Sequence, residues 1–516
     1  MKASVIDLGF NSLKLVAYDV KQQQQQQDNS FVAYAQKSIP ARIGEGLSQT
    51  GFLGNEQIKR TLEGLKYLRE INELHSIRHC IPIATSAVRE AANREQFLRL
   101  AFRETGFRFR VLSGRDEALL SFSGAARAVR NPNMLFFDIG GGSLELVHAL
   151  DYKPRSIFSL PLGGLRLTQL YADSDGTFKE KSLSKMEQRI WDLLPGKEEI
   201  SPKREIELVG VGGNLRGLAR WDQKRRNYPF NKIHNYSMKL DSIQRMREEL
   251  MILSSHEIGK IDVIGKDRAE TIAAGSFVIE LLMKKLGFQK VTVSTHGLRD
   301  GVLASFIENP LAYHKEGPVT ISQTLLRRAK SPADGAPQVT RALESFGLID
   351  RREREMLEFG FRFAMSELSS TRPESFFFTL MDLDSSLSHR DQLIASLALA
   401  QTRKSRSAEW LYAKYKPMLK PKSRNVISKL AAMITFLEVL ARTESKAKFS
   451  FIEHNSKIKI RVITKKKEFP SLVLRDAVAE LSEEFDRSID FLVSYSSHGR
   501  RVKQTVSSDA LRRRSP

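Results

Sequence analysis

Two short segments of the chain present the same residue types in the same order. Asp7–Ser12 follows the mainly apolar residues 3–6, and Asp138–Ser143 follows the apolar residues 134–137. Each segment has an Asp, then a glycine turn, then a hydroxyl residue, and a second apolar stretch comes next. Glycine lets N–H groups approach an anion closely, and successive N–H groups in a turn form an anion-binding concavity. The repeat therefore predicts a duplicated domain that grips a chain of phosphates between its halves.

The polar groups of these two segments define the candidate ligands. The groups suited to phosphate belong to Gly9, Asn11, Ser12, Gly140, Gly141, Gly142 and Ser143. The Asp at each strand end, Asp7 and Asp138, can hold a divalent cation or position a water molecule. A strand-end Asp also commonly caps a turn, and the residues alone leave that alternative open.

Repeating units of strand, loop and helix surround the two segments. Residues 56–73 carry apolar side chains at helical spacing. The apolar stretches at 81–85, 208–211 and 290–294 each run into a loop that is followed by a helical pattern. This alternation predicts an α/β architecture in which ligands bind at the carboxyl ends of the strands.

The charge balance indicates a polyanionic partner. The 516-residue chain carries 82 Lys and Arg against 60 Asp and Glu, a formal net charge of +22. Nucleic acid, polyphosphate and an anionic membrane would all fit this excess. The phosphate segments favour a phosphate polymer, and nucleic acid is the less favoured partner. A basic cluster with interleaved aromatic residues at 403–424 is interpreted either as a solvated helix face or as a track for a polyanion.

The sequence carries no signal for a membrane or for secretion. No stretch of about 18 uncharged apolar residues occurs, and the chain begins with a strand rather than a signal-peptide pattern. The single Cys80 cannot form an internal disulfide. These features predict a cytoplasmic protein without a membrane partner. Residues 22–27 are all Gln and are interpreted as an expanded hairpin loop.

Eight motifs, taken in order, resemble those of the exopolyphosphatase and guanosine pentaphosphate phosphohydrolase (Ppx/GppA) family. They are Asp7–Ser12, Ala84–Ala91, Leu112–Ala118, Asp138–Glu145, Leu160–Gly163, Val211–Gly213, Arg268–Ile272 and Ser294–Arg299. The resemblance covers residues 1–305. It implies an α/β fold with two actin-like (ribonuclease H-like) lobes, at residues 1–124 and 125–305, and a site in the cleft between them.

The rest of the chain has a different sequence pattern. Residues 320–446 are mostly helical and resemble the family's HD-like domain, but no His-Asp pair occurs in residues 338–446. The helical domain is therefore interpreted as a substrate platform or a dimerisation element. Residues 447–516 predict a small α/β domain, and the tail after Val502, rich in Arg and Ser, is expected to be disordered.

The resemblance also implies roles for individual residues. Glu117 matches the general base for the attacking water, and Arg89 matches a residue that binds phosphate oxygens. The further phosphate-binding residues are Ser86, Gly212 and Gly213. The candidate ligands of Mg²⁺, which prefers a few hard oxygen donors, are Asp7, Asp138 and Glu145.

Some of these residues would also suit ordinary structural roles. A Glu in the first turn of a helix, such as Glu117, is favoured by the helix dipole, and Arg89 could be an ordinary surface residue. Phe10 stands where the family usually has Ser or Thr, so one hydroxyl contact to phosphate is lost. We therefore expect the second segment, Asp138–Ser143, to hold more of the phosphate and metal.

The motifs predict a hydrolase that releases terminal phosphate from inorganic polyphosphate with Mg²⁺ as cofactor. Three alternatives are retained: hydrolysis of guanosine pentaphosphate, transfer of phosphate from polyphosphate to ADP, and non-catalytic binding of a polyanion. The resemblance is also compatible with a homodimer that lengthens a basic channel.

Overall fold

The computed structural model describes most of the chain as two compact units, Met1–Lys330 and Ser331–Pro516. The described residues are 1–21, 30–129, 131–200, 206–308, 336–345, 347–365, 373–402, 406–443, 448–454, 457–464, 471–486, 488–497 and 500–506. The polyglutamine tract at 22–27 and residues 403–405 of the basic cluster lie outside them. No described helix is both long and apolar enough to cross a membrane.

The first unit contains two sheets. The first sheet is formed by β1 Lys2–Leu8, β2 Leu13–Lys21, β3 Ser30–Ile39, β4 His79–Ala84 and β5 Arg110–Val111, in the order β3-β2-β1-β4-β5. The first three strands form an antiparallel meander. Strand β4 is parallel to β1, and β5 is parallel to β4.

The second sheet repeats that arrangement. It is formed by β6 Met134–Ile139, β7 Leu144–Leu150, β8 Lys153–Leu160, β9 Glu207–Val211, β10 Ser237–Lys239 and β11 Lys290–Val293, in the order β10-β11-β9-β6-β7-β8. Strands β6, β7 and β8 form an antiparallel meander, and β9 and β11 continue in parallel from β6. The predicted duplication of an α/β domain is therefore confirmed.

Helices cover both sheets. Those around the first sheet are α1 Leu47–Thr50, α2 Asn55–Leu74, α3 Ser86–Glu90, α4 Arg94–Thr105 and α5 Gly114–Val129. Those that follow in the chain are α6 Gly164–Tyr171, α7 Glu180–Leu193, α8 Gly213–Arg225, α9 Leu240–Met251, α10 Ser255–Gly259, α11 Ile272–Leu286 and α12 Leu298–Glu308. Strand β6 is buried along nearly its whole length, as expected for a sheet with both faces covered.

The predicted boundaries at residues 124 and 305 need correction. Residue 124 lies inside α5, which both lobes share: Leu120 packs into the core of the first sheet, and Phe122 packs against Phe136 of the second. Helix α12 returns to the first sheet, where Phe306 joins the same core as Leu120. We define lobe I as the first sheet with α1–α5 and α12, and lobe II as the second sheet with α6–α11.

The second unit has a helical part and a small sheet. Its helices are α13 Ala336–Ser345, α14 Arg351–Ala364, α15 Pro373–Asp382, α16 His389–Gln401, α17 Arg406–Tyr415 and α18 Ser423–Thr443. The remaining elements are β12 Lys448–His454, β13 Lys457–Thr464, α19 Ser471–Phe485, β14 Ile489–Ser497 and β15 Arg500–Val506, with sheet order β12-β13-β14-β15.

This architecture agrees with the predicted helical domain followed by a small α/β domain. The likeness of the helical part to HD-type enzymes stays a prediction. The prediction of a disordered tail is wrong as far as Val506, because β15 pairs with β14 in an antiparallel register. Residues 507–516 lie outside the described part of the chain.

Candidate active site

A cavity of about 480 Å³ lies between the two lobes of the first unit. It is lined by the loops that follow β1 and β6, which we call the first phosphate loop (Gly9–Ser12) and the second phosphate loop (Gly140–Ser143). Except for Arg89, every site residue predicted from the sequence lines this cavity: Asp7, Gly9, Asn11, Ser12, Ser86, Glu117, Asp138, Gly140, Gly141, Gly142, Ser143, Glu145, Gly212 and Gly213.

The first phosphate loop presents free N–H groups. The N–H of Gly9 donates to the carbonyl oxygen of Ser12 over 3.0 Å, which closes the turn. The carbonyl oxygens of Phe10 and Asn11 accept from the N–H groups of Gly44 and Arg42 over 2.9 and 2.8 Å. Within the described part of the chain, the N–H groups of Phe10, Asn11 and Ser12 have no acceptor. A turn with engaged carbonyls and free amides is an anion-binding nest.

The second phosphate loop is built in the same way. The N–H of Gly140 donates to the carbonyl oxygen of Ser143 over 3.0 Å. The carbonyl oxygens of Gly140 and Gly141 accept from the N–H groups of Gly164 and Arg166 over 3.0 and 2.9 Å. The N–H groups of Gly141 and Gly142 have no acceptor among the described residues. The site therefore contains two nests, one from each lobe.

The two loops touch each other, and the contact leaves little space at Gly141 and no space for a side chain at Gly142. A Cβ at Gly141 would lie 3.3 Å from the Cβ of Asn11 in the other loop. A Cβ at Gly142 would overlap the ring of Phe10 and the hydroxyl of Ser86. Phe10 itself is 2% exposed and fills the space beside Gly142. Close packing of the loops brings both nests to one cavity.

Glu117 projects from the first turn of α5 and is 8% exposed. Its Oε2 accepts a hydrogen bond from Nη1 of Arg89 over 2.7 Å. Burial raises the pKa of Glu117 to about 7, which outweighs the opposing effect of the Arg89 guanidinium. A carboxyl group with a pKa near neutrality is suited to accept a proton from water.

Arg89 lies behind Glu117 rather than among the residues that line the cavity. The same Nη1 atom that contacts Glu117 also donates to the carbonyl oxygen of Leu112 over 2.9 Å. These contacts place the Arg89 guanidinium against the Glu117 carboxylate, rather than on the cavity surface where the sequence analysis expected it to bind phosphate.

The acidic groups on either side of the second phosphate loop, one in β6 and one in β7, are also buried. Asp138 accepts a hydrogen bond from Ser121 Oγ over 2.5 Å, and Glu145 accepts one from Ser159 Oγ over 3.1 Å. Burial raises the pKa of Asp138, and burial together with the charge of Glu117 raises the pKa of Glu145 well above its usual value. These carboxyl groups repel one another, so a cation in the cavity would stabilise their charged forms.

Five basic residues that line the cavity were given no role from the sequence, although two of them belong to the eight motifs. They are Lys14, Arg216, Arg220, Arg268 and Arg299, of which Arg268 and Arg299 are the motif residues. Burial, followed by repulsion from Arg299, lowers the pKa of Lys14 to about 8 and that of Arg216 to about 10. Arg299 donates to Asp7 Oδ2 over 3.2 Å. Such crowded cations favour an anionic ligand.

One signal for Lys14 was present in the repeat. In the antiparallel pairing of β1 with β2, Lys14 lies opposite Asp7. In the pairing of β6 with β7, Glu145 lies opposite Asp138. The two hairpins are equivalent, so Lys14 occupies in the first hairpin the position that Glu145 occupies in the second. A candidate site residue at one of these positions therefore indicates a candidate at the other.

The fit of Mg²⁺ can be judged from these donors. Among the described residues, no three acidic, His or Cys side chains converge on a point that could hold a metal ion. Asp7, Asp138 and Glu145 are therefore not a preformed three-ligand site. Mg²⁺ commonly takes one or two carboxylates and completes its shell with phosphate and water oxygens. Asp7 and Asp138, each of which accepts a hydrogen bond at Oδ2, fit that kind of site.

The two duplicated lobes, with a cavity between them, define a protein of the actin-like class. The model of the Ppx/GppA phosphatase family matches residues 20–309, which is more than half of the chain. The chain belongs to the Ppx/GppA family of phosphatases, which confirms the resemblance found in the sequence motifs.

Individual relatives agree with this assignment. The chain is 27% identical over 316 residues to exopolyphosphatase 2 of Mycobacterium tuberculosis, and the match covers 59% of this chain and 98% of that protein. It is also 27% identical over 316 residues to the bifunctional 3-dehydroquinate synthase/phosphatase of Fusobacterium nucleatum, where the match spans 59% of this chain but only 46% of the relative.

A solved structure supports the fold of the same region. The crystal structure of an exopolyphosphatase from Cytophaga hutchinsonii aligns with a TM-score of 0.55 at 26% identity. The alignment covers 60% of this chain and 98% of that one. The family match ends at residue 309, so the second unit lies outside it.

Proposed function

We propose that the protein is an exopolyphosphatase that releases terminal orthophosphate from inorganic polyphosphate with the help of Mg²⁺. The observation that carries the proposal is the pair of nests on one cavity that also holds Glu117. A chain of phosphates offers an anion to each nest at once. Relatives named exopolyphosphatases, matched over nearly their whole length, support the same substrate class.

Glu117 is proposed as the general base. Arg89 fixes Oε2 of the carboxylate, and no hydrogen-bond donor among the described residues holds Oε1. Oε1 can therefore accept a proton from a water molecule that attacks the terminal phosphorus atom. Phosphoryl transfer needs mainly positioning and neutralisation of charge. The free amides of the two loops and the cations of Lys14 and Arg299 supply both.

Mg²⁺, when bound through Asp7 and Asp138, would offset the negative charge of the phosphate oxygens. Glu145, buried and next in the same hairpin, would act on this ion through water rather than as a third direct ligand. Serine hydroxyls of both loops and of Ser86 would complete the contacts to phosphate.

One assay tests the substrate. Purified protein is incubated with Mg²⁺ and either long-chain polyphosphate, guanosine pentaphosphate, or ADP plus polyphosphate, and phosphate and ATP are measured. Release of orthophosphate from polyphosphate alone, with loss one unit at a time from the chain end, is expected. Release only from guanosine pentaphosphate, or formation of ATP, would replace this proposal with one of those activities. No turnover of any substrate would favour a non-catalytic polyanion sensor.

We also propose a homodimer, on the basis of the family resemblance. Size-exclusion chromatography with light scattering on the full chain tests it directly. A single species at the monomer mass, 58.5 kDa, would contradict it.

A further inference from the structure

Each phosphate loop is backed by an arginine that also reaches the opposite lobe. Arg42, in the segment after β3 of lobe I, uses its N–H to hold the carbonyl oxygen of Asn11 over 2.8 Å. Its guanidinium donates to both carboxylate oxygens of Glu270, in the segment before α11 of lobe II, over 3.1 and 2.6 Å. The first loop is thereby tied to lobe II.

Arg166 of α6 makes the reciprocal connection. Its N–H donates to the carbonyl oxygen of Gly141 over 2.9 Å, and its Nε donates to that of Gly142 over 2.7 Å. Its Nη2 donates to Glu90 Oε2, at the end of α3 in lobe I, over 2.6 Å. The guanidinium also lies 5.3 Å from the centre of the Phe10 ring. The second loop is thereby tied to lobe I.

The two connections act on the direction in which the loop amides point. A peptide group whose carbonyl is held on one side presents its N–H toward the other, here toward the cavity. Because the loops touch at Gly141 and Asn11, any separation of the lobes would change the distance between the nests. Charge-assisted pairs that cross the cleft oppose that separation.

We propose that Arg42 and Arg166 are positioning residues, which shape one phosphate loop each and, through Glu270 and Glu90, hold the two nests at a fixed separation. None of the four side chains lines the cavity, so each acts through the loops. The predicted effect on KM rests on the proposed function, because a fixed separation of the nests affects only an anion that spans both of them.

The test removes the cross-lobe charges and leaves the arginines and their bonds to the loops in place. Glu90→Gln, Glu270→Gln and the double variant are compared with Glu249→Gln. Glu249 pairs with Arg225 over the same 2.6 Å, within lobe II and away from the cavity. The carboxylates of Glu90, Glu270 and Glu249 have side-chain exposures of 38%, 43% and 46%, so the control is matched in solvation.

Two readouts do not require activity. Binding of inorganic tripolyphosphate is measured by calorimetry, and hydrogen exchange is followed at the amides of residues 9–12 and 140–143. Since either pair can hold the lobes alone, each single variant should weaken binding about 3-fold or less. The double variant should weaken it at least 10-fold and speed exchange in both loops, while Glu249→Gln changes neither.

Kinetics then separate positioning from general damage. The double variant should raise KM for polyphosphate by the same factor as the loss of binding, with kcat within about 3-fold of the parent. Unchanged binding and exchange in the double variant, or equal changes in Glu249→Gln, would overturn the proposal. If the parent protein hydrolyses no polyphosphate, the proposed function fails, whereas binding and exchange still decide this inference.

Discussion

Arg89 and Glu117 form an ion pair over 2.7 Å, in which the arginine lies on the side of the carboxylate away from the cavity. Arg89 comes from α3 and Glu117 from α5, so the contact links two helices of lobe I. The pair is largely buried, with side-chain exposures of 20% and 10%. This relationship fixes the direction in which the carboxylate can meet a water molecule.

Replacement of this carboxylate should abolish turnover. We expect Glu117→Gln to lower kcat for phosphate release from polyphosphate by at least 100-fold, because an amide cannot accept the proton of the attacking water. Asp116→Asn is the control, since Asp116 is the preceding residue of α5 and does not line the cavity. It should stay within about 2-fold of the parent. Residual activity above one tenth in Glu117→Gln would exclude Glu117 as the base.

The pH dependence of kcat/KM should be bell-shaped. Glu117, with a pKa of about 7, acts only when deprotonated, so activity rises with pH up to that value. Lys14, with a pKa of about 8, contributes positive charge only when protonated, so activity falls above it. In Lys14→Arg the cation persists, and the alkaline limb should move up by more than one pH unit. An alkaline limb that stays in place in this variant would contradict the role of Lys14.

The same carboxylate should lower stability at neutral pH. Folding raises the pKa of Glu117 from 4.5 to about 7, so the folded state binds this proton more tightly than the unfolded state. The resulting contribution to the free energy of unfolding is fully present below pH 4.5 and is lost as the pH rises through 7. Glu117→Gln lacks this loss, which is on the order of 3 kcal/mol. Its Tm relative to the parent should therefore increase from pH 5 to pH 8. A constant Tm difference across that range would show that burial does not raise the pKa of Glu117.

Glycine at position 142 should be essential for the second nest. A Cβ there would overlap Phe10 and Ser86, whereas a Cβ at Gly140 would have its nearest neighbour at 3.6 Å. We expect Gly142→Ala to raise KM for polyphosphate at least 10-fold by displacing the loop, and Gly140→Ala to have a several-fold smaller effect. Steady-state kinetics with both variants check this, and equal effects would mean that loop shape is not the cause.

Removal of metal should stop turnover reversibly. We expect EDTA to abolish phosphate release and excess Mg²⁺ to restore it. Asp138→Asn should raise the Mg²⁺ concentration needed for half-maximal rate at least 10-fold, because one of the two fitting carboxylates is lost. Glu145→Gln should raise it less. Full activity in EDTA would remove the metal from the proposed reaction.

The repeat of the two phosphate loops was readable from the sequence, and so was the fold around it. Backbone geometry follows from local residue types there: Asp at a strand end, glycines in the turn, and apolar stretches on both sides. The family match over residues 20–309 and the two equivalent sheets confirm that part. The assignment of roles to Glu117, Asp7, Asp138 and Glu145 stays a prediction that the kinetic tests decide.

Phe10 shows where local reasoning stopped. In the sequence, Phe10 replaces the Ser or Thr that the family usually has. The loss of that hydroxyl predicted that the first loop binds phosphate more weakly than the second. In the structure the first loop keeps its free amides, and Phe10 packs beside Gly142 and under Arg166. The contribution of a nest comes from the backbone, so the side chain at this position is available for packing between the lobes.

The sequence by itself determined the elements and the two loops, because strand ends, glycine turns and apolar spacing act over a few residues. Tertiary structure alone decided the rest. It placed α5 between the sheets, brought Arg299 to the cavity, and paired Arg42 with Glu270 across 228 residues of chain. Such contacts depend on how the lobes pack against each other. The spacing of residues along the chain does not predict the distance between the two lobes.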